Sequence, residues 1–300
     1  MGAPPPSASN GSAGLLVDIG PLGVRLEAGP RLQAHLPRLF EGFRPGLGGG
    51  RFPVHVAASR GAPARRGLPE LPTLEPVAPD VLVDCSEGWR LRVRDGREAV
   101  RATAQLRDYG DADARLLRQV EGLIRVVAAT AAPRAEALLV HGCALEVPGA
   151  GGAWLFVGPS GAGKSTMARR LPGWRLLADD TVIVSRSADG FRVAGTPFAG
   201  KERLPRDGRS LPLRRLVTLT PRRPLNLTAI GAAEAFRELL SRTMWFAPRA
   251  EATRLLWELA AALAAEVPAA RLESALGDDV GSLILRAAPP PPAGGLTAVA

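Results

Sequence analysis

One segment constrains this chain more than any other: FVGPSGAGKSTMARRLPGWRLLADDTVIV, Phe156 to Val184. Its first half, Gly158-Pro159-Ser160-Gly161-Ala162-Gly163-Lys164-Ser165, fits in full the eight-position pattern of a glycine loop that wraps phosphate. Gly158, Gly161 and Gly163 permit backbone conformations closed to other residues, so consecutive N–H groups can turn inward. A helix starting near Lys164 offers unpaired amides. Lys164 supplies a point charge for the β and γ phosphates, Ser165 a hydroxyl ligand for Mg²⁺, and Thr166 a further hydroxyl. The apolar AWLFV before the loop and STMARRL after it predict strand, loop, helix. ATP and Mg²⁺ are therefore the expected cofactors, bound at Gly158–Thr166.

The second half carries an acidic pair unusually close to the loop. Asp179 lies 14 positions after Ser165. The intervening helix holds about ten residues before Pro172-Gly173 ends it. The chain then returns as WRLLADD, which predicts a strand neighbouring the loop-bearing one, with Asp179 and Asp180 at its ligand-facing end. One carboxylate there suits Mg²⁺, and a second suits proton abstraction from a hydroxyl. Alternation along a strand sends adjacent side chains to opposite faces, so both acids serve only if the strand ends at them.

The loop is embedded in alternating apolar strands and amphipathic helices. Residues 1–13 and 287–300 read as disordered tails, and the Met1-Gly2 start is followed by three prolines rather than a usable lipidation site. Residues 14–110 predict an α+β accessory region. It comprises a hairpin around Gly20-Pro21, a short or kinked helix over Arg31–Phe43 with Pro37 inside it, a strand at Arg51–Ser59, a Pro- and Arg-rich loop at Arg60–Asp80, and a strand with a hairpin at Asp95-Gly96. Residues 111–286 predict the nucleotide-binding core. This region opens with an amphipathic helix whose stripe is Leu116, Val120, Leu123, Ile124 and Val127, capped by Asp111 or Asp113. Strands follow at Ala137–Val147, Gly152–Gly158, WRLLADD, TVIVSR, FRVAGTPF, Leu213–Pro221 and PAARLES, and helices at Gly231–Trp245 and Glu251–Val267. The fold class is α/β, α+β overall.

Composition excludes several classes. The 300 residues carry a net charge of +9, but only two lysines, Lys164 and Lys201, so the basicity is arginine-based. No arginine stripe interleaved with aromatics appears, and there is one Tyr, so no nucleic-acid partner is expected. No apolar run reaches about 18 residues, so no membrane span is expected. Without a secretory signal at its start, and with Cys85 and Cys143 outside any metal-spaced cluster, the chain reads as cytoplasmic, the cysteines as small buried residues.

LLVHGCALEV, GGAWLFVGPSGAGKSTMARRL and WRLLADDTVIV together resemble the catalytic core of HPr kinase/phosphorylase, and more loosely ATP-dependent phosphoenolpyruvate carboxykinase. The likeness spans Leu138 to Val184 and is to HPr-kinase-related proteins of uncertain substrate. It implies a P-loop kinase core in which His141 matches the active-site histidine and either orients Asp179 or tunes its proton affinity. Asp179 then serves as acid/base, Asp180 stands on the metal side with Ser165, and Lys164 stabilises charge. Which acid of the pair is base and which is metal-side stays open. The resemblance implies transfer of the γ-phosphoryl group to a serine of a protein or peptide, and a homo-oligomer, since the resembling family forms oligomers. Two departures stand out: Thr166 occupies a usually acidic position, and the segment linked to phosphorylase activity is not recognisable.

Downstream, Thr196, Lys201 and Arg203 in GTPFAGKERLP are candidates for phosphate or substrate contact, and Arg242 for an inward-pointing helix residue. Asp278-Asp279 reads as a turn. The alternatives to a kinase are a non-catalytic nucleotide-dependent binding or scaffold module and a carboxykinase-like enzyme acting on a small acid.

Overall fold

The computed structural model describes residues 14–46, 50–61, 73–77, 80–85, 89–107, 113–171, 173–222, 224–246 and 249–288. The tail at 1–13, nearly all of the tail at 287–300 and the predicted caps Asp111 and Asp113 (as side chains) lie outside this set.

The first sheet contains β1 (Leu15–Ile19), β2 (Leu22–Ala28), β3 (Phe52–Gly61), β4 (Thr73–Val77), β5 (Asp80–Cys85), β6 (Trp89–Asp95) and β7 (Val100–Arg107), in the order β1-β2-β3-β7-β6-β5-β4. Strand β3 runs parallel to both β2 and β7, and the other pairs are antiparallel. Period-2 patterning builds it: Val100, Ala102, Ala104 and Leu106 are buried while Arg101, Thr103 and Gln105 face out. Helix α1 (Pro30–Leu39) places Pro30 in its first turn, where no amide is needed, and carries Pro37 inside. Strand β4 is a correction to the loop expected over Arg60–Asp80; the cross-strand ladder to β5 overrides the local Pro content.

Helix α2 (Asp113–Ala131) lies on this sheet, and Leu116, Val120, Leu123, Ile124 and Val127 are all buried as the stripe predicts. Its core is continuous with Leu139, Ile183, Ala194 and Phe198 of the second half. The boundary expected after residue 110 therefore cuts through one packed core.

The second sheet system holds β8 (Ala137–Val147), β9 (Gly152–Val157), β10 (Arg175–Ala178), β11 (Thr181–Ser187), β12 (Gly190–Gly195), β13 (Ser210–Pro221), β14 (Asn226–Ala229) and β15 (Ala269–Ser274). Strands β9, β13 and β15 run parallel side by side. Strands β8, β11, β12 and the start of β13 form an antiparallel ladder. Helix α3 (Lys164–Arg170) and helix α6 (Val280–Ala287) cover Trp154, Phe156 and Val217 on one face, and α4 (Ala232–Leu240) and α5 (Ala250–Glu266) cover Leu155 and Leu216 on the other. Fully burying a side chain such as Phe156 contributes roughly 1.5–3 kcal/mol. The chain is thus α+β overall, with two sheets and six α-helices among the described residues. Strand β14 and helix α6 were not legible in the sequence; α6 is short and is capped by Asp279, whose carboxylate accepts the Ser282 N–H at 3.1 Å.

Arg134, in the 3₁₀ turn after α2, ties the halves together. Its Nε lies 3.2 Å from Asp95 Oδ1 at the end of β6, and its Nη1 3.1 Å from Glu251 Oε1 on α5. The Asp95 side chain is 1% exposed. Arg134→Ala strands that carboxylate in the core, and is expected to cost about 3–5 kcal/mol in denaturant unfolding. Arg254→Ala, which breaks the exposed pair with Glu258, is expected to cost about 0.5 kcal/mol or less.

Candidate active site

The site is organised by β8. The C-terminal half of β8 pairs with β9 on one edge, from Gly142↔Val157 to Val147↔Gly152. Strands β10 and β11 pair with β8 in succession, Ala178↔Ala144 and then Thr181↔His141, like one strand with a break in it. Asp179 and Asp180 occupy the break, which follows a register shift between Leu176 and Ala178. The Gly142 N–H donates to the Asp180 carbonyl at 2.9 Å and holds the irregular backbone on β8. Across the break the register is kept, three residues on each strand from Ala178↔Ala144 to Thr181↔His141, so the one-residue shift lies at Leu177, just before the acids. Strand β10 pairs with β8 and not with β9, which corrects the expected neighbour: the His-Gly strand sits between the acids and the loop strand.

Gly161 and Gly163 in the loop have φ of +82° and +97°, conformations that disfavour other residues. The first backbone bonds formed are from Ala162 N–H to Pro159 C=O and from Met167 N–H to Gly163 C=O. Among the described residues, the amides of Ser160, Gly161, Gly163, Lys164, Ser165 and Thr166 donate to no backbone carbonyl. Six donors on one short segment are thus left for an acceptor outside the backbone, the condition an anion-binding loop requires. Lys164 is buried, and its Nζ donates to the Gly158 and Pro159 carbonyls at 2.8 and 3.0 Å. Burial, and then the nearby Arg242 charge, lower its proton affinity.

The acids stand beside this loop in different surroundings. The Ser165 hydroxyl lies 3.5 Å from Asp179 Oδ2, while Asp179 Oδ1 is buried with no partner. Burial is the main cause that pushes the Asp179 carboxyl above its ordinary range, and the Asp180 charge adds to it. Asp180 is more open, its side chain 22% exposed. Its Oδ2 accepts from Thr181 Oγ1 at 2.8 Å, and its Oδ1 lies 3.6 Å from His141 Nδ1. The histidine thus faces Asp180 rather than Asp179, which it was expected to orient. Burial dominates the lowering of the His141 pKa below its ordinary value, so the imidazole is neutral at pH 7.

Among the remaining candidates, Thr196 is fully buried and donates to the Thr181 carbonyl at 2.7 Å, a bond that ties β12 to β11. Lys201 and Arg203 are exposed on the loop after β12. Their neighbour Gly200 abuts the acids: a Cβ there would lie 2.8 Å from Asp179 Oδ2 and 3.1 Å from the Asp180 Cβ. Arg242 lies in the turn after α4 and not on a helix as expected; its carbonyl accepts the His141 N–H at 2.7 Å, and its Nε is buried without a partner. Cys143 is buried, and its thiol is pushed up by desolvation; the side chain of Cys85 lies outside the described residues.

The sequence reading missed Arg125, Glu121 and Arg206. Arg125 on α2 lies 3.6 Å from Asp180 Oδ2, and the Arg206 charge acts on Asp179. One signal was available: Arg125 is a lone cation between Ile124 and Val126, both buried.

A cleft of about 500 Å³ opens beside the loop. It is bounded by Gly161, Gly163 and Thr166, by Pro221 and Arg222 after β13, and by Leu276 and Asp278 after β15. This is the carboxyl end of the parallel strands, where open α/β sheets receive ligands.

The family model for "SynChlorMet cassette protein ScmC" matches residues 103–277, more than half of the 300-residue chain. The chain belongs to the ScmC family. The ScmC match begins within β7 and includes α2, the loop, both acids, His141 and Arg242. No curated protein matches the chain. Among the described residues of this ScmC-family chain, no helix is long and apolar enough to cross a membrane.

The buried, under-bonded Asp179 has a measurable consequence. Its folded-state pKa is raised, so its ionisation destabilises the fold fully above that pKa and not at all below the unfolded value of about 3.9. Asp179→Asn is therefore expected to raise the Tm at pH 7 in metal-free buffer. The gain should shrink as the pH falls toward about 4. Calorimetry across this range measures both.

Proposed function

We propose that the protein is an ATP- and Mg²⁺-dependent phosphotransferase with a P-loop kinase core, passing the γ-phosphoryl group to a hydroxyl. The observation that carries this reading is the meeting of three things at one strand end: six uncommitted loop amides, Lys164, and an acid pair split between a buried and an open environment. The 500 Å³ cleft beside the loop is of a size to take a nucleoside.

The oxygens of Ser165 and Asp179 suit a hard cation such as Mg²⁺, and the orphaned Asp179 Oδ1 is an acceptor that such an ion would satisfy. Among the described residues no group of three or more His, Cys, Asp or Glu is arranged to hold a metal ion by itself, so phosphate and water would complete the shell. The ion's contribution when bound is to neutralise charge on the β and γ phosphate oxygens.

The geometry favours a division of the pair opposite to the one drawn from resemblance. Asp179 stands beside Ser165 and is buried; it takes the metal side. Asp180 is open, faces His141 and takes the acceptor's proton. In the transfer, the acceptor oxygen forms a bond to the γ-phosphorus as its proton passes to the Asp180 carboxylate. The bond from the γ-phosphorus to the β–γ bridging oxygen breaks, and ADP leaves with that electron pair. Lys164 exchanges its two carbonyl partners for phosphate oxygens, and Arg242 adds a second charge beside it. His141, neutral, keeps Asp180 oriented. By resemblance the acceptor is a serine of a protein or peptide.

Labelled ATP incubated with cell extract tests this. Asp180→Asn is expected to lower transfer by roughly 10²–10⁴-fold while Mg–ATP still binds. Lys164→Ala is expected to lose both binding and transfer. Transfer that survives both substitutions would sink the mechanism. Tight nucleotide binding by the unaltered protein with no transfer to any fraction would favour the binding-module reading instead.

A further inference from the structure

The contacts of α2 reach beyond its packing on the first sheet. Arg125 Nη2 lies 3.1 Å from Glu121 Oε1, one turn earlier, and 3.6 Å from Asp180 Oδ2. Its guanidinium carbon sits 5.2 Å from the centroid of the Phe198 ring. Glu121 Oε1 also accepts the Ala199 N–H at 2.8 Å. Phe198 and Ala199 belong to the loop whose next residue, Gly200, is pressed against both acids. Two side chains of one helix thus grip the acid pair twice: Arg125 directly, and Glu121 through the loop.

We propose that Arg125 and Glu121 are the positioning residues of this site, fixing the Asp180 carboxylate and the Phe198–Lys201 loop from the core of the first sheet. This rests on the reading of Asp180 as the proton acceptor. Asp180 is then held from three sides, by Thr181 on its own strand, by His141 on β8 and by Arg125 on α2. The arginine cation also separates two anions, Glu121 and Asp180, that would otherwise repel across it. The planar guanidinium is suited to the place because it stacks on Phe198 while bonding at its edges; a lysine retains the charge and loses the stacking. Burial supports a fixed arrangement: the side chains of Arg125 and Glu121 are 28% and 15% exposed. The first region is then part of the site's architecture, since α2 is anchored in its core.

Two measurements on the full chain test the proposal. The first is slow ATP hydrolysis, with water as acceptor, followed by phosphate release. Arg125→Gln is expected to lower kcat by roughly 10–100-fold with KM for Mg–ATP little changed, the effect of a misplaced reacting group. Arg125→Lys is expected to recover part of the loss, and serves as the second variant should the Gln form fail to fold. The second is cleavage by a lysine-specific endoproteinase. The chain has only Lys164, which is buried, and Lys201, which is exposed on the gripped loop. Cleavage after Lys201 should accelerate roughly fivefold or more in Arg125→Gln and Glu121→Ala, as the loop opens more often, and stay unchanged in Arg254→Gln.

Wild-type hydrolysis with an unchanged kcat in Arg125→Gln overturns the proposal, and so does a rise in KM alone. A wild type that hydrolyses no ATP counts against the phosphotransfer reading. The proteolysis then decides the grip by itself: faster cleavage at Lys201 upholds it and unchanged cleavage overturns it.

Discussion

A single backbone bond, from the Gly142 N–H to the Asp180 carbonyl, is the constraint on which the site depends. It keeps β10 and β11 attached to β8 across an interruption that would otherwise let the chain drift away. The ladder resumes at Thr181↔His141, so the break is bounded by paired residues on both sides. The register of β8 locates the backbone of the acids, while Thr181, His141 and Arg125 face the Asp180 carboxylate. The same strand then pairs at Gly142–Val147 with β9, from whose end the loop departs. Loop, histidine and acids are therefore all placed relative to one strand of 11 residues.

The site also concentrates charge that the fold does not neutralise completely. Lys164 is buried on backbone carbonyls, Asp179 keeps an oxygen without a partner, and Arg242 and Arg125 each bury a nitrogen without one. Buried polar groups left in this state cost stability, and folded proteins tolerate them chiefly where they do chemistry. The Arg134–Asp95–Glu251 triad contrasts with the site: there a deeply buried carboxylate is matched by a cation.

Much of this was legible in the residues. The loop, the strands around it and the α2 stripe follow from spacing and period, because local chemistry there agrees with the fold. The strand at Thr73–Val77 did not, since its pairing with β5 is a tertiary choice made against a Pro-rich background. Thr196 looked like a ligand in a glycine-rich stretch, but its hydroxyl is committed to the Thr181 carbonyl at full burial. The partner of His141 depended on where the strand broke, which a one-residue shift decides and no periodicity reveals. Arg125 was hidden for a different reason: it lies 55 positions before Asp180, and only the packing of α2 brings the two within 3.6 Å.

That packing bears on modularity. A helix whose apolar stripe seals one sheet and whose polar edge meets the acids of the other cannot be assigned to either half. Severing the chain before α2 would leave Val120, Ile124 and Val127 bare. Severing it after α2 would remove the cation beside Asp180. Insertions are then not compatible with this seam.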